Sequence, residues 1–394
     1  MKILLTSLLL ISSLYSTDDA FSELDAYNNS AAKMEAEFES MKLNQKNEFE
    51  QYSESLKKEY SDYTNELSKY WEEPKLSTKK TWVSYSNDKK SRSKVDFEKN
   101  EVVIEVIASS PQKAKEKIEK RLAYVVTKNT KEVVETDPLQ KKIAEISKKS
   151  LEIKSVVDEK PILEKVIFKK KPTKKEVKKY TQKVVKKEKI VVKKSNKTAK
   201  NVYKITIPLP KNTKLKRSAV YKDNIAKYAQ HYKVPIELVF AIMETESNFN
   251  PFAKSHIPAF GLMQIVPTSA GRDVYYHLYK KKGMPTASYL YNSKNNIEMG
   301  STYLYILYYR YLRKIKNPTS RLYCTIAAYN TGAGNIAWAF TRKYNINRAV
   351  GKINALTPEE VYDHLQANLR FDEPKHYLKR VRKRMPKYVK AYRL

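Results

Sequence analysis

One cysteine in 394 residues, Cys324, excludes an intramolecular disulfide and any cysteine-based metal cluster. It stands in the apolar run TyrCysThrIleAlaAla, where a small core residue is its simplest role. Glycine is nearly as scarce: all seven lie at or beyond Gly261, and all five histidines lie at or beyond His231. No two histidines stand at helical ligand spacing, and HExxH, GxSxG and a phosphate-cradling glycine loop are all missing. Neither a metal nor a cofactor is therefore expected. Negative charge is also short, with 43 Asp and Glu against 77 Lys and Arg, a formal net charge of +34 and a pI near 9.7. That imbalance calls for an anionic partner: nucleic acid, acidic lipid or an acidic cell-wall polymer.

Long apolar runs are missing too, apart from the start. Lys2, the run from Ile3 to Leu14 and small residues around Ser16 form a signal-peptide pattern over 1–16, too short for a confident membrane span. An uncleaved anchor fits the same residues. No cysteine stands just after it, which argues against a lipid-anchored N-terminus and for an exported protein that is soluble or peripheral to the outer membrane.

Residues 21–72 read as helical. Phe49, Tyr52, Leu56, Tyr60, Tyr63, Leu67 and Tyr70 step by three or four, as a short coiled-coil arm or a helix packing on its own domain would. TrpValSerTyr from 82, ValAspPhe from 95 and EKNEVVIEVI predict short strands with a polar turn at Lys99–Asn100. Ser110–Pro111 opens a helix running to about 128. The segment 168–200 is lysine-dominated and reads as a linker or weakly ordered arm. Its core, from Phe168 to Lys194, has one interior aromatic, Tyr180, so base stacking and base readout have few candidates and nucleic acid is not expected. Contact with an anionic wall or lipid head groups suits it better; a solubilising spacer would look the same.

From 214 onward the pattern is all-α. Ala219–Tyr232 predicts a helix with Ile225, Tyr228 and Ala229 inward, and Gly300–Ile315 a tyrosine-rich one. Asn317–Pro318–Thr319 starts another, which breaks at TyrAsnThrGly. Thr357, Pro358 and Glu360 form a capping box with proline at the first helical position. The chain closes on a basic helix with Pro386 as an expected kink.

One stretch organises this half, residues 235–271. Pro235 suits a helix start, and Leu238, Val239, Ile242 and Met243 share one apolar stripe. Glu246 continues that stripe. A carboxylate there is costly unless neutral, and both burial and the negative end of a helix terminating near Asn248 favour the protonated acid. Such an acid can protonate a poor leaving group. Glycosidases commonly use two carboxylates, but Glu244 points roughly 200° away around the helix. Asp273 and Glu298 have no marking context, so a one-carboxylate mechanism is the simpler expectation. A structural role for Glu246 would need a buried basic partner that the neighbouring sequence does not supply.

GluSer at 246–247, PheAsnPro at 249–251, Ser255, GlyLeuMetGln at 261–264 and AlaTyrAsn at 328–330, taken in order, resemble the lytic murein transglycosylase domain with a goose-type lysozyme fold. The resemblance covers about 214–394. LSKYWEEP, WVSY and KVDFEKNEVVIE resemble, more weakly, an accessory N-terminal domain in that family. It implies a mostly α chain: accessory α+β domain within 17–200, Lys-rich linker, and all-α lysozyme-like catalytic domain over 214–394. It implies peptidoglycan strands as substrate. Glu246 would be sole acid and then base, cleaving the MurNAc–GlcNAc bond to a 1,6-anhydro end in the periplasm. Ser247, Ser255, Met263, Gln264, Tyr329, Asn330 and Tyr377 would line the substrate site. Each has a plainer reading: Ser247 as a helix-end cap, Met263 as core, Asn330 as a turn residue. The IleProAlaPhe run before GlyLeuMetGln departs from the commoner glycine and would reshape that loop. A silent wall-binding scaffold and a lysozyme-type hydrolase are the alternatives.

Overall fold

The structure is a computed structural model and describes residue 47 and residues 50–150, 157–255 and 259–393. The expected export segment 1–16 and most of 17–49 lie outside the described residues, as do Ile257 and Pro258 of the departing loop. Residues from Leu56 onward pack as one compact unit. It is mostly helical around one antiparallel sheet of five strands in the order β1-β2-β3-β5-β4. No helix among the described residues is long and apolar enough to cross a membrane.

The strands are β1 (Thr81–Tyr85), β2 (Ser91–Asp96), β3 (Glu101–Ala108), β4 (Ile190–Lys194) and β5 (Asn201–Pro208). The turn between β2 and β3 falls at the expected Lys99–Asn100, where Asn100 takes φ 61°; asparagine tolerates that left-handed backbone. Pairing Val103 with Thr206 and Ile104 with Ile205 fixes the register of β3 on β5. Ile104 and Ile205 are wholly buried. Ser110 caps the helix Pro111–Thr127, which covers the sheet with Ala114, Ile118, Leu122 and Val125. The aromatic seam of the preceding helix turns inward as well. Leu56, Tyr63 and Leu67 are buried and Tyr63 meets Tyr85 of β1 edge-on, so this helix packs on its own sheet.

The linker expectation for 168–200 is overturned. Thr173 and Glu176 form a capping box that starts the helix Lys174–Lys187, and β4 follows at once. Val177, Thr181 and Val185, four residues apart, make the buried stripe that holds this helix against Pro111–Thr127. Lysine content suggested disorder, but three side chains at helical spacing suffice to seat a capped helix, while the ammonium groups stay in water.

The helical part begins with Thr213–Val220 and Lys222–His231, in which Ile225, Tyr228 and Ala229 are buried as expected. Helix Ser293–Tyr305 continues into a π-helical turn, Ile306–Tyr311. The next helix, Pro318–Thr331, is capped by Asn317 and outlasts its expected break, ending at Gly332 with φ 85°. Thr357 and Glu360 close the foreseen capping box of Pro358–Asn368, and the last helix, Asp372–Tyr392, runs through Pro386.

Sheet and helices meet along a polar seam. The Arg217 guanidinium donates to the carbonyls of Phe97 at 3.2 Å and Asn248 at 3.0 Å. Trp82 of β1 is 1% exposed and packs on Phe252, and the Ser293 N–H donates to Asp158.

If the lysine-rich helix is held by its buried stripe, Val185→Asp should cost more than about 2 kcal/mol in urea unfolding. Lys183→Ala, on the exposed face, should stay within about 0.5 kcal/mol. Equal, small effects of the two would mean the helix is not docked.

Candidate active site

Helix Ile236–Ser247 is enclosed far beyond one stripe: every residue from Leu238 to Ser247 is buried. The basic last helix supplies much of the enclosure. Phe240 stacks on Tyr388 with ring centroids 5.0 Å apart. Glu244 accepts hydrogen bonds from the Tyr388 hydroxyl at 2.6 Å and Lys387 Nζ at 2.9 Å, with Arg384 and Lys214 also within ion-pair range. Burial would raise the pKa of Glu244, yet these hydrogen bonds and cations outweigh it and hold the carboxyl below its ordinary range.

Glu246 lies on another face of the helix, 6% exposed. Its pKa is raised by burial, against partial opposition from Lys79, Tyr377 and Lys80. Two carboxylates two positions apart are thus pushed in opposite directions, one towards the ion and one towards the acid, which separates their chemical roles. Tyr329 and Tyr377 lie in the field of Glu246, and burial together with that field raises both phenols. The buried Tyr377 hydroxyl faces the Glu246 carboxyl group, whose field and hydrogen bonding add to burial in raising the phenol. The Tyr329 hydroxyl donates to the Met263 carbonyl at 2.9 Å.

Beyond the helix the backbone is strained. Asn248 and Phe249 take φ 50° and 60° in succession, uncommon for asparagine and costly for a buried aromatic. This sharp exit brings GlyLeuMetGln under the helix end. Gly261 has φ 76°, and a Cβ there would collide with the Leu290 carbonyl and the Asn296 amide. Asn296 organises this loop: its amide donates to the carbonyls of Phe260 and Leu290 at 2.9 Å, and its oxygen accepts from the Met263 N–H at 2.7 Å.

The sequence-predicted residues fall into three groups. Glu246, Tyr329 and Tyr377 come together as one electrostatic cluster. Gln264, at φ 51°, ties the loop through its amide to Ala253 and Gly261 carbonyls, both at 3.0 Å. Its Oε1 is buried without a hydrogen-bond partner among the described residues. Asn330 is half-buried in the last turn of Pro318–Thr331, and Ser255 accepts the Ala259 N–H at 3.3 Å beside the undescribed residues 256–258. Ser247 and Met263 are turned into the packing. The Ser247 hydroxyl lies 2.7 Å from the Leu262 carbonyl and 3.0 Å from that of Met243. Met263 is fully buried against Gly300, where a Cβ would strike its sulfur. Their plainer readings are the ones the geometry favours.

Sequence reading missed the basic partner of Glu246, because it comes from 167 residues away. Lys79 Nζ lies 3.5 Å from Glu246 Oε2. Lys80 caps the helix end, donating to the carbonyls of Thr245 at 2.5 Å and Glu244 at 3.2 Å, and burial pushes its pKa down to about 8. Asn250 fixes the segment that carries both, its amide facing the carbonyls of Thr78, Lys79 and Thr81 at 3.2–3.3 Å. The available signal was Asn250 itself, an asparagine in a PheAsnPro turn that needs several acceptors when buried.

A raised folded-state pKa makes ionised Glu246 a burden on the fold above the ordinary carboxylate range, and no burden when the group is protonated in both states. Glu246→Gln should therefore leave thermal stability unchanged below the ordinary carboxylate range and raise it as pH climbs above that range. A gain independent of pH would mean that the acid is not held neutral.

Residues 223–350 match the family described as the transglycosylase SLT domain, and residues 46–220 match the N-terminal domain of membrane-bound lytic murein transglycosylase C. Two curated relatives carry that protein's name. The one from Sodalis glossinidius (strain morsitans) is 44% identical over 182 residues, 46% of this chain and 50% of its own. That from Serratia proteamaculans (strain 568) is 43% identical over 187 residues, 48% of this chain and 51% of its own. The chain thus spans about half the length of the curated relatives it matches. The crystal structure of the 70 kDa soluble lytic transglycosylase SLT70 from Escherichia coli overlaps 43% of this chain and 24% of that one, with 24% identity and a TM-score of 0.33. With relatives above 40% identity alongside both matches, the chain carries a transglycosylase SLT domain around Glu246, preceded by a domain of the kind found at the N-terminus of membrane-bound lytic murein transglycosylase C.

Proposed function

We propose that the chain cuts peptidoglycan glycan strands without water, with Glu246 as the single acid and base. The reading rests on one observation above all: a buried carboxyl group biased towards its neutral form at the end of an enclosed helix. The groups that weigh most on it are two lysines and a tyrosine, none of them a carboxylate. In the proposed sequence Glu246 gives its proton to the glycosidic oxygen between N-acetylmuramic acid and N-acetylglucosamine as the C1–O bond breaks. Positive charge spreads over C1 and the ring oxygen. The carboxylate then takes the proton of the muramoyl C6 hydroxyl, whose oxygen closes on C1. A 1,6-anhydro end results, Glu246 is protonated again and no water is consumed.

In this reading residues 214–394 are the catalytic part and 17–200 the accessory one. In the same reading Tyr377 donates to Glu246 once it is ionised. The unpartnered Gln264 oxygen suits a sugar N–H or O–H, and Ser255, Tyr329 and Asn330 border the reacting sugar. The chain works in the cell envelope, and the lysine-rich helix faces an anionic wall or lipid surface. Lys175, Lys178, Lys179, Lys183, Lys186 and Lys187 are all exposed on it.

Purified sacculi digested by the full chain should release muropeptides lighter by one water than hydrolysis products. Glu246→Gln should cut the rate about a hundredfold or more. Reducing-end sugars instead would assign a lysozyme-type hydrolase, and an unimpaired variant would leave a wall-binding scaffold. Replacing Lys175, Lys179, Lys183 and Lys186 by Gln should weaken sacculus binding at low ionic strength and have little effect in high salt; binding indifferent to both would remove the basic face from the reading.

A further inference from the structure

We propose that Lys79, from the segment leading into the sheet, is a positioning residue of the reaction, its ammonium stabilising the Glu246 carboxylate formed when the proton leaves. The proposal rests on the acid–base role given to Glu246 above. A group that acts first as acid and then as base meets opposite demands. Burial alone keeps it protonated, makes the first proton transfer uphill and leaves an uncompensated charge afterwards. A cation at the carboxylate oxygen lowers that cost without filling the site with water.

The geometry is built for this. Asn250, wholly buried, faces the carbonyls of Thr78, Lys79 and Thr81 and fixes the course of the segment. Lys80 is spent on the helix-end carbonyls. Lys79 alone of the pair reaches the carboxylate, 3.5 Å from Oε2, with its side chain 42% exposed against 7% for Glu246. It thus stands on the solvent side of the acid. The other groups facing Glu246 are Lys80 from the same segment, Tyr329 from helix Pro318–Thr331 and Tyr377 from the last helix. Arg380, on that last helix, acts on Tyr377. On Glu246's own helix, Glu244 is already matched by Lys387, Arg384 and Lys214. Among the described residues no second carboxylate pairs with Lys79.

The test is the pH dependence of sacculus digestion by the full-length wild type, Lys79→Met and Lys79→Arg, with thermal melting as the folding control. Activity requires protonated Glu246 at the outset, so it declines as pH rises through the pKa of that group. Removing the cation raises this pKa, so Lys79→Met should carry the alkaline limb upward by about one pH unit. Its plateau rate should fall about tenfold, the equivalent of one pKa unit, and Lys79→Arg should restore both. Should Lys79→Met melt early, Lys79→Gln takes its place. An unmoved limb in the neutral variants, or equal losses in the neutral and arginine variants, would overturn the proposal and make Lys79 a mere contact of the sheet. Reducing-end products from the wild type would sink the lyase reading alone, since a hydrolase acid obeys the same test.

Discussion

Glu246 stands where two effects hostile to a carboxylate coincide: surroundings of low polarity and the carbonyl end of a helix. Both favour the neutral acid, and the rest of the fold reads as the means of holding that unfavourable placement. The last helix seals one side with Tyr377, Tyr388 and Arg384, whose guanidinium donates to Thr245 at 2.6 Å. The glycine loop seals another, pinned by Asn296 and by the Ser247 hydroxyl. The sheet part closes the helix end with Lys80, an interaction that answers both the dipole and the unpaired carbonyls.

Glu244 shows why enclosure alone does not define the acid. It is 4% exposed, slightly more buried than Glu246, yet its pKa shifts down. The difference lies in donors: Glu244 receives a phenol and an ammonium at 2.6 and 2.9 Å, whereas the ammonium nearest Glu246 is at 3.5 Å. Desolvation acts on both, and short charge-assisted hydrogen bonds decide which remains an ion.

Features set by neighbouring residues were legible in the sequence. The capping box at Thr357, the inward Ile225, Tyr228 and Ala229, the turn at Asn100 and Glu246 as the misplaced acid all depend on spacings of a few residues. What failed to show was set by contacts across the chain. Lys79 and Glu246 are 167 residues apart, and Tyr388 and Glu244 are 144 apart; no local pattern links them. The full burial of helix Ile236–Ser247 was hidden because Glu244 and Thr245 look like a solvent face until the basic helix is laid over them. The lysine-rich tract failed for another reason. Its composition masked a four-residue spacing of Val177, Thr181 and Val185 that was present all along.

The seam between sheet and helices follows from the same constraint. The last helix and the glycine loop cover two sides of the helix that carries Glu246 and leave its carbonyl end to be covered by other residues. That end is covered by the sheet part, held through Asn250, Arg217 and Trp82 against the residues just after the acid, Asn248 to Phe252. Those residues carry the strained turn at Asn248 and Phe249. Strain of that kind persists only where surrounding contacts over-determine it. The sheet part thus does structural service at the centre of the helical part, and loosening it would relax the turn that aims Glu246 as well as withdraw the lysines beside it.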